Sequence, residues 1–121
     1  MSKKSGSKGI DTREQINQGF VRSEIGTGAD EKACRIYEAA EVSPVLLKRH
    51  AGMAVNNYVA AISCFLRALP NVKDTRSKKL LIEQINRLLR RLGAMRALYA
   101  EAERLYGRYM QGWLISSYML Y

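Results

Sequence analysis

A chain of 121 residues with 47% hydrophobic residues and only two prolines is long enough for one domain with an ordinary core, and it favours a mostly helical protein. It contains no run of about 18 uncharged apolar residues, so we expect no membrane-spanning helix. The basic start MSKKSGSKG lacks the apolar stretch of a secretory signal, so we expect a cytoplasmic protein without a membrane partner.

The formal net charge of +9 is concentrated in the middle of the chain. Residues 1–41 hold seven Lys or Arg against seven Asp or Glu, residues 48–96 hold eleven against two, and residues 97–121 hold two against two. Such clustering is typical of a protein that binds a polyanion, with nucleic acid the commonest partner and an anionic membrane surface the next. Among nucleic acids we expect RNA rather than DNA. The alternative is a solvated helix face, although such faces usually interleave both signs.

The first forty residues predict a tail followed by helix. Residues 1–10 are mostly Lys, Ser and Gly, which predicts a disordered basic tail before a single helical-bundle domain over residues 11–121. We expect a first helix from Asp11 to a break at the Gly-Thr-Gly sequence of residues 26–28, and a second helix over residues 30–41. Whether this region forms one helix or two stays open.

The next helix has clear signals at both ends. Ser43 is suited to cap its N-terminus and Pro44 to occupy its first turn, while Pro70 should stop it after about Leu69. Between these ends, a wide apolar stripe typical of a core helix contains Val55, Tyr58, Val59, Ile62, Phe65, Leu66 and Leu69.

The strongest helix signal covers residues 74–93, DTRSKKLLIEQINRLLRRLG. Asp74 suits the N-cap and Gly93 suits a C-terminal stop. Apolar residues recur at helical spacing and predict a core face made of Leu81, Ile85, Leu88 and Leu92. The opposite side is predicted to carry a cationic stripe made of Arg76, Lys79, Arg87 and Arg90.

A last helix is expected from the residues after Gly93 to the C-terminus, and it is apolar over more than half of its circumference. One bundle cannot cover that much apolar surface, so we expect a homo-oligomer. The predicted interface residues are Tyr106, Met110, Trp113 and Leu114. The aromatic residues of this helix could instead stack on unpaired bases, but core or interface is the commoner role of such a stripe.

Motifs that carry catalysis are missing from the sequence. It contains no phosphate-binding loop, dinucleotide fingerprint, zinc-protease motif, serine-hydrolase elbow or paired CxxC. Asp74 and Glu83 are the only carboxylates in the basic region, so two-carboxylate or two-metal chemistry lacks ligands there. We therefore expect no enzyme, no cofactor and no metal, and we expect Cys34 and Cys64 to be free thiols.

The segment GRYMQGW at residues 107–113 resembles the Gly-Arg-x-x-x-x-Trp element near the end of the accessory variability determinants of diversity-generating retroelements. That family belongs with the four-helix proteins encoded in ribosomal intervening sequences, and the resemblance covers about residues 46–115. It implies a basic four-helix bundle that assembles into a ring, binds template RNA and partners the element's reverse transcriptase without being catalytic itself. The chain departs from the family in residues 1–41 and in its short connection near Gly93.

Together these signals predict an all-α, antiparallel bundle of four main helices, some of them split. The predicted function is non-catalytic binding of RNA or single-stranded DNA within a ribonucleoprotein, with a larger protein such as a reverse transcriptase as partner. The candidate phosphate contacts are Lys48, Arg49, Arg67, Lys73, Arg76, Lys78, Lys79, Arg87, Arg90, Arg91 and Arg96. The alternatives are a small helical subunit of a CRISPR effector complex, and a helical adaptor or chaperone that works through its apolar C-terminal helix.

Overall fold

The computed structural model describes the backbone of residues 2–119 and the side chains of residues 11–108 and 110–112. Over that range the chain forms three helices, α1 (Ser2–Glu38), α2 (Pro44–Ala68) and α3 (Thr75–Met119), with a short 3-10 turn at Leu69–Asn71. No strand occurs among these residues, so the all-α prediction is confirmed. The prediction of four helices is wrong for the described residues, because α1 and α3 are each continuous where a break was expected.

The central helix is α2, which packs against both of the others, whereas α1 and α3 contact each other much less. Gly19 and Gly26 of α1 lie against Phe65 and Tyr58 of α2, which shows that these two helices run antiparallel. Lys48 near the start of α2 lies 4.0 Å from a carboxylate oxygen late in α3, so α2 and α3 are antiparallel too. The three helices therefore alternate in direction along the chain.

The break expected at residues 26–28 does not occur, and the reason is the packing of α1 on α2. A Cβ atom placed on Gly26 would lie 2.7 Å from the ring of Tyr58, and one on Gly19 would lie 2.5 Å from the ring of Phe65. These glycines are contact positions at which a bare backbone lets two helices approach closely. Other buried positions of α1 also hold small side chains, namely Ser23, Ala29 and Ala33.

The bounds of α2 agree with the sequence prediction. Ser43 Oγ accepts a hydrogen bond from the backbone N of Leu46 at 3.3 Å, and Pro44 is the first residue of the helix. The buried residues of α2 alternate at spacings of three and four, which directs one seam of the helix into the core. That seam contains Leu47, Ala51, Ala54, Tyr58, Ala61, Phe65 and Ala68.

The stop expected at Gly93 is wrong, because α3 continues through it for more than twenty further residues. Gly93 is exposed, has no positive φ and meets no neighbouring atom where its Cβ would be. A glycine inside a helix costs roughly 1 kcal/mol relative to alanine, which the buried seam on either side outweighs. That seam contains Leu81, Ile85, Leu88, Leu92, Met95 and Ala102.

The backbone of residues 2–10 belongs to α1, where the sequence predicted a disordered tail over residues 1–10. The predicted interface residues Trp113 and Leu114 lie beyond Gly112, where the structure describes no side chains, so their role stays a prediction.

Candidate nucleic-acid interface

Four exposed cations surround the turn between α2 and α3. We call them the basic corner: Lys73, Arg76, Lys78 and Lys79. The nearby carboxylate of Asp74 caps α3, since its Oδ2 accepts hydrogen bonds from the backbone N (3.1 Å) and the Oγ (2.8 Å) of Ser77. These bonds hold the pKa of Asp74 below its usual value. None of the four cations forms an ion pair with any side chain in the described ranges.

The cationic stripe predicted on α3 is divided between two directions. Arg90 is exposed, as expected for the outer face. Arg87 is half-buried and turns toward α1, where its Nη2 donates to Ser23 Oγ at 3.2 Å and to Gln84 Oε1 at 3.1 Å. Arg91, one turn further along, also points toward α1. Three of the four predicted stripe residues, Arg76, Lys79 and Arg90, are thus exposed, whereas Arg87 contacts α1. Arg91, which was not part of the predicted stripe, contacts α1 as well.

Asp30, a buried residue of α1, joins all three helices through its carboxylate. It accepts a hydrogen bond from Tyr58 Oη on α2 at 2.7 Å, and a bidentate pair from Arg91 Nε (2.8 Å) and Nη2 (2.6 Å) on α3. The Cys34 thiol donates to the same carboxylate at 3.4 Å. Only 7% of the Asp30 side chain is exposed, against 42% of Arg91. We call these four residues the Asp30 network.

At neutral pH each member of the Asp30 network keeps a single protonation state. Burial opposes ionisation of Asp30, but hydrogen bonds from Arg91, Tyr58 and Cys34 outweigh it and lower the pKa of the carboxyl. Burial, reinforced by the hydrogen bond to Asp30, raises the pKa of Tyr58 to about 12 and raises that of the Cys34 thiol. Hydrogen bonding to Asp30 raises the pKa of Arg91. The main role of Arg91 is therefore structural, because it bonds α3 to Asp30 of α1.

Aromatic rings and cations meet near the start of α2. One cavity there, of about 470 Å³, we call the tyrosine cavity; it is lined by Val45, Lys48, Arg49, Tyr99 and Tyr106. A second, of about 300 Å³, we call the asparagine cavity; it is lined by Gly52, Val55, Asn56, Arg96 and Tyr99. Three of the predicted phosphate contacts are thus brought to one region of the surface, and Tyr99 lines both cavities.

Arg67 stands apart from the other candidates. It is exposed near the end of α2, its Nε donates to the carbonyl oxygen of Ser63 at 3.3 Å, and it shares a cavity with Asp11 and Glu14 of α1. Acidic neighbours make this the least favourable environment for a phosphate among the exposed candidates.

Of the predicted oligomer interface, two side chains are described. Tyr106 is 37% exposed and Met110 is half-buried. Exposed large apolar residues also occur on α2 and α3, where Val59 and Leu66 share one side of α2 and Ile82 and Leu89 share one side of α3, each pair seven residues apart. All four are exposed large apolar residues, and we call them the apolar flank.

Comparisons with protein-family models, with curated proteins and with solved structures find no match for this chain. Within the described residues, no helix has the length and apolarity that crossing a membrane requires. The same residues contain no group of three or more His, Cys, Asp or Glu side chains that could hold a metal ion. Both cysteines are free thiols, as expected.

Sequence reasoning missed Asp30 and the roles of Arg87 and Arg91. Asp30 lies 61 residues from Arg91 in the chain, and an aspartate in a polar helix looks like any solvated charge. A weak signal was present: Asp30, Ser23 and Gly26 are spaced at three and four residues, as a buried seam requires.

Proposed function

We propose that this protein is a non-catalytic subunit of a ribonucleoprotein that binds single-stranded RNA or DNA, with RNA preferred. The observation that carries the proposal is the basic corner, four exposed cations around one turn that have no ion-pair partner among the described side chains. Unpaired cations grouped at one end of a bundle repel one another, and a polyanion relieves that repulsion by neutralising them.

The distribution of acidic residues supports the same proposal. Residues 11–41, which cover most of α1, carry four Lys or Arg and seven Asp or Glu. The basic corner and the two cavities lie on α2 and α3, so a nucleic acid would follow those helices and avoid the outer face of α1. Contacts of this kind give affinity without reading sequence.

The experiment is a salt titration with a matched pair of variants. We expect RNA affinity to fall steeply between roughly 50 and 200 mM salt. Replacing all four basic-corner residues with Gln should lower the slope of log K against log salt by about 3, since each phosphate contact on a single strand contributes roughly 0.7. The control replaces with Gln the four cations of residues 11–41, namely Arg13, Arg22, Lys32 and Arg35.

The control should leave the slope unchanged although it removes the same charge. A flat salt titration of the wild-type protein would contradict the proposal. An equal decrease of the slope in the two quadruple variants would contradict it too, because it would reveal an effect of net charge alone.

We further propose, on the resemblance in residues 46–115, that the larger partner is a reverse transcriptase of a diversity-generating retroelement. Genes beside this one provide the test: a reverse transcriptase next to a variable repeat is expected. A CRISPR locus would instead favour the effector-subunit alternative, whose electrostatic mode of binding is the same.

A protein-interaction adaptor is the second candidate, and the apolar flank favours it. Val59, Leu66, Ile82 and Leu89 are exposed apolar side chains of the kind found at protein interfaces. If this candidate is correct, the double substitution Leu66→Gln with Leu89→Gln abolishes binding of the partner protein. The wild-type protein, measured without that partner, then shows no salt-dependent binding of RNA.

A further inference from the structure

We infer that the tyrosine cavity and the asparagine cavity together bind an unpaired nucleotide of a single-stranded RNA, with its base stacked on a tyrosine ring. The inference rests on the proposed function and extends it, since the basic corner contacts phosphates and this site would contact a base. Small-molecule sites usually have volumes of roughly 300 to 1,000 Å³. The tyrosine cavity, of about 470 Å³, lies within this range, and the asparagine cavity, of about 300 Å³, lies at its lower limit.

Tyr99 is held in place by α2 yet keeps part of its surface free. A Cβ on Gly52 would lie 3.3 Å from Cε2 of Tyr99, so the glycine lets the ring approach the backbone of α2 closely. The ring is half-buried and lines both cavities. A ring that is already fixed loses little conformational entropy when a base stacks on it, which is what a stacking platform needs.

Cations surround this ring. Lys48 Nζ lies 5.7 Å from the centroid of Tyr99, a cation–π distance, and 4.0 Å from a carboxylate oxygen of Glu103. Arg49 lines the tyrosine cavity and Arg96 lines the asparagine cavity. Both are exposed, and neither forms an ion pair with a described side chain. Because Lys48 lies over one face of the ring, a base that stacks there would displace its flexible side chain. Arg49 and Arg96 would then be available for the flanking phosphates.

The polar lining adds a means of contacting the edge of a base. Asn56 is exposed in the asparagine cavity and its amide offers both donors and an acceptor, as the Watson–Crick edge of an unpaired base requires. Tyr106 lies seven residues beyond Tyr99, two helical turns along the same side of α3, and supplies a second ring that is 37% exposed. Aromatic rings, an amide and unpaired cations together fit a nucleotide better than a plain polyanion.

The experiment compares a short oligouridylate with an abasic strand of the same length and charge, at one salt concentration. We expect the abasic strand to bind about tenfold more weakly, which is the effect of one stacked base. Tyr99→Leu and Tyr106→Leu should each weaken binding of the oligouridylate several-fold and leave binding of the abasic strand unchanged. Tyr99→Phe keeps the ring and should bind both strands like the wild type.

Tyr37→Leu is the matched control, because Tyr37 is 46% exposed on α1 and should not affect either strand. Circular dichroism checks the fold of each variant, and if Tyr99→Leu unfolds, the more exposed Tyr106→Leu decides. Equal affinities of the wild-type protein for the two strands overturn this inference while leaving the proposed function intact. Binding of neither strand overturns both.

Discussion

At the scale of single residues, the Asp30 network is the feature that distinguishes structural from exposed cations. Arg91 and Arg90 are neighbours in sequence and both are arginines in a basic helix. Arg91 is bonded to the carboxylate of Asp30, whose side chain is 7% exposed. Arg90 is exposed and forms no ion pair with a described side chain. Removing one member of a buried pair is costly because it leaves the other charge uncompensated.

We therefore expect Arg91→Gln to lower the free energy of unfolding by about 2 to 3 kcal/mol, less than a fully buried pair would lose because Arg91 is partly exposed to water. Arg90→Gln is the control and should change it by less than about 0.5 kcal/mol. Chemical denaturation monitored by circular dichroism measures both. Equal stabilities of the two variants would contradict the structural role of Arg91.

The lowered pKa of Asp30 gives a dependence of stability on pH. Because the carboxyl has a lower pKa in the folded state than in the unfolded chain, its contribution is fully present above the unfolded value of about 3.9 and is lost as the pH falls through the folded value. The difference in unfolding free energy between wild type and Asp30→Asn should be constant above about pH 5 and shrink below about pH 4. A constant difference down to about pH 2 would contradict this assignment.

At the scale of the helices, close packing decides which glycines matter. Gly26 and Gly28 are two residues apart on α1, yet a Cβ on Gly26 would lie 2.7 Å from the Tyr58 ring whereas a Cβ on Gly28 meets nothing within 4 Å. The ring cannot move aside easily, since it is 1% exposed and its hydroxyl is bonded to Asp30.

We expect Gly26→Ala to destabilise the protein by about 1 to 2 kcal/mol, because overpacking exceeds the gain in helix propensity. Gly28→Ala should stabilise it by up to about 1 kcal/mol, since only the propensity changes there. Melting temperatures of the two variants provide the measurement. If both substitutions stabilise the protein, α1 does not pack on α2 as described.

The sequence predicted α2 and both of its ends, together with the core seam of α3, because apolar periodicity and caps are local signals. It placed false breaks at residues 26–28 and at Gly93, because the factors that override a glycine lie elsewhere in the chain: the ring of Tyr58 in one case and a long buried seam in the other. All four residues of the basic corner were named from the sequence as phosphate contacts, and that role stays a prediction. The asymmetry between Arg90 and Arg91 was not, since it depends on a carboxylate 61 residues away.

At the scale of the whole molecule, apolar surface remains on the outside of the three helices. The apolar flank is exposed on α2 and α3, and Tyr106 and Met110 are only partly covered on the last part of α3. Three helices with one central member leave the outer helices open along most of their length, which is the situation that self-association commonly resolves.

We accordingly expect a homo-oligomer at micromolar concentration, measured by sedimentation. Trp113→Ala should dissociate it if the interface is the predicted one on the last helix. A double substitution, Leu66→Gln with Leu89→Gln, is the matched control on the apolar flank. Dissociation by the control alone would move the interface to the flank, and a wild-type monomer would contradict self-association altogether.

The Asp30 network also determines the register of the bundle. A seam of small residues on α1 repeats at spacings of three and four, so sliding α1 by seven residues along α2 would still place small side chains against the core. Such a slide moves Asp30 by about 10 Å along the helix axis, beyond hydrogen-bond reach of Tyr58 and Arg91. The loss of these hydrogen bonds makes such a slipped alignment less stable, so one charge on α1 favours the observed alignment over others that apolar packing alone would tolerate.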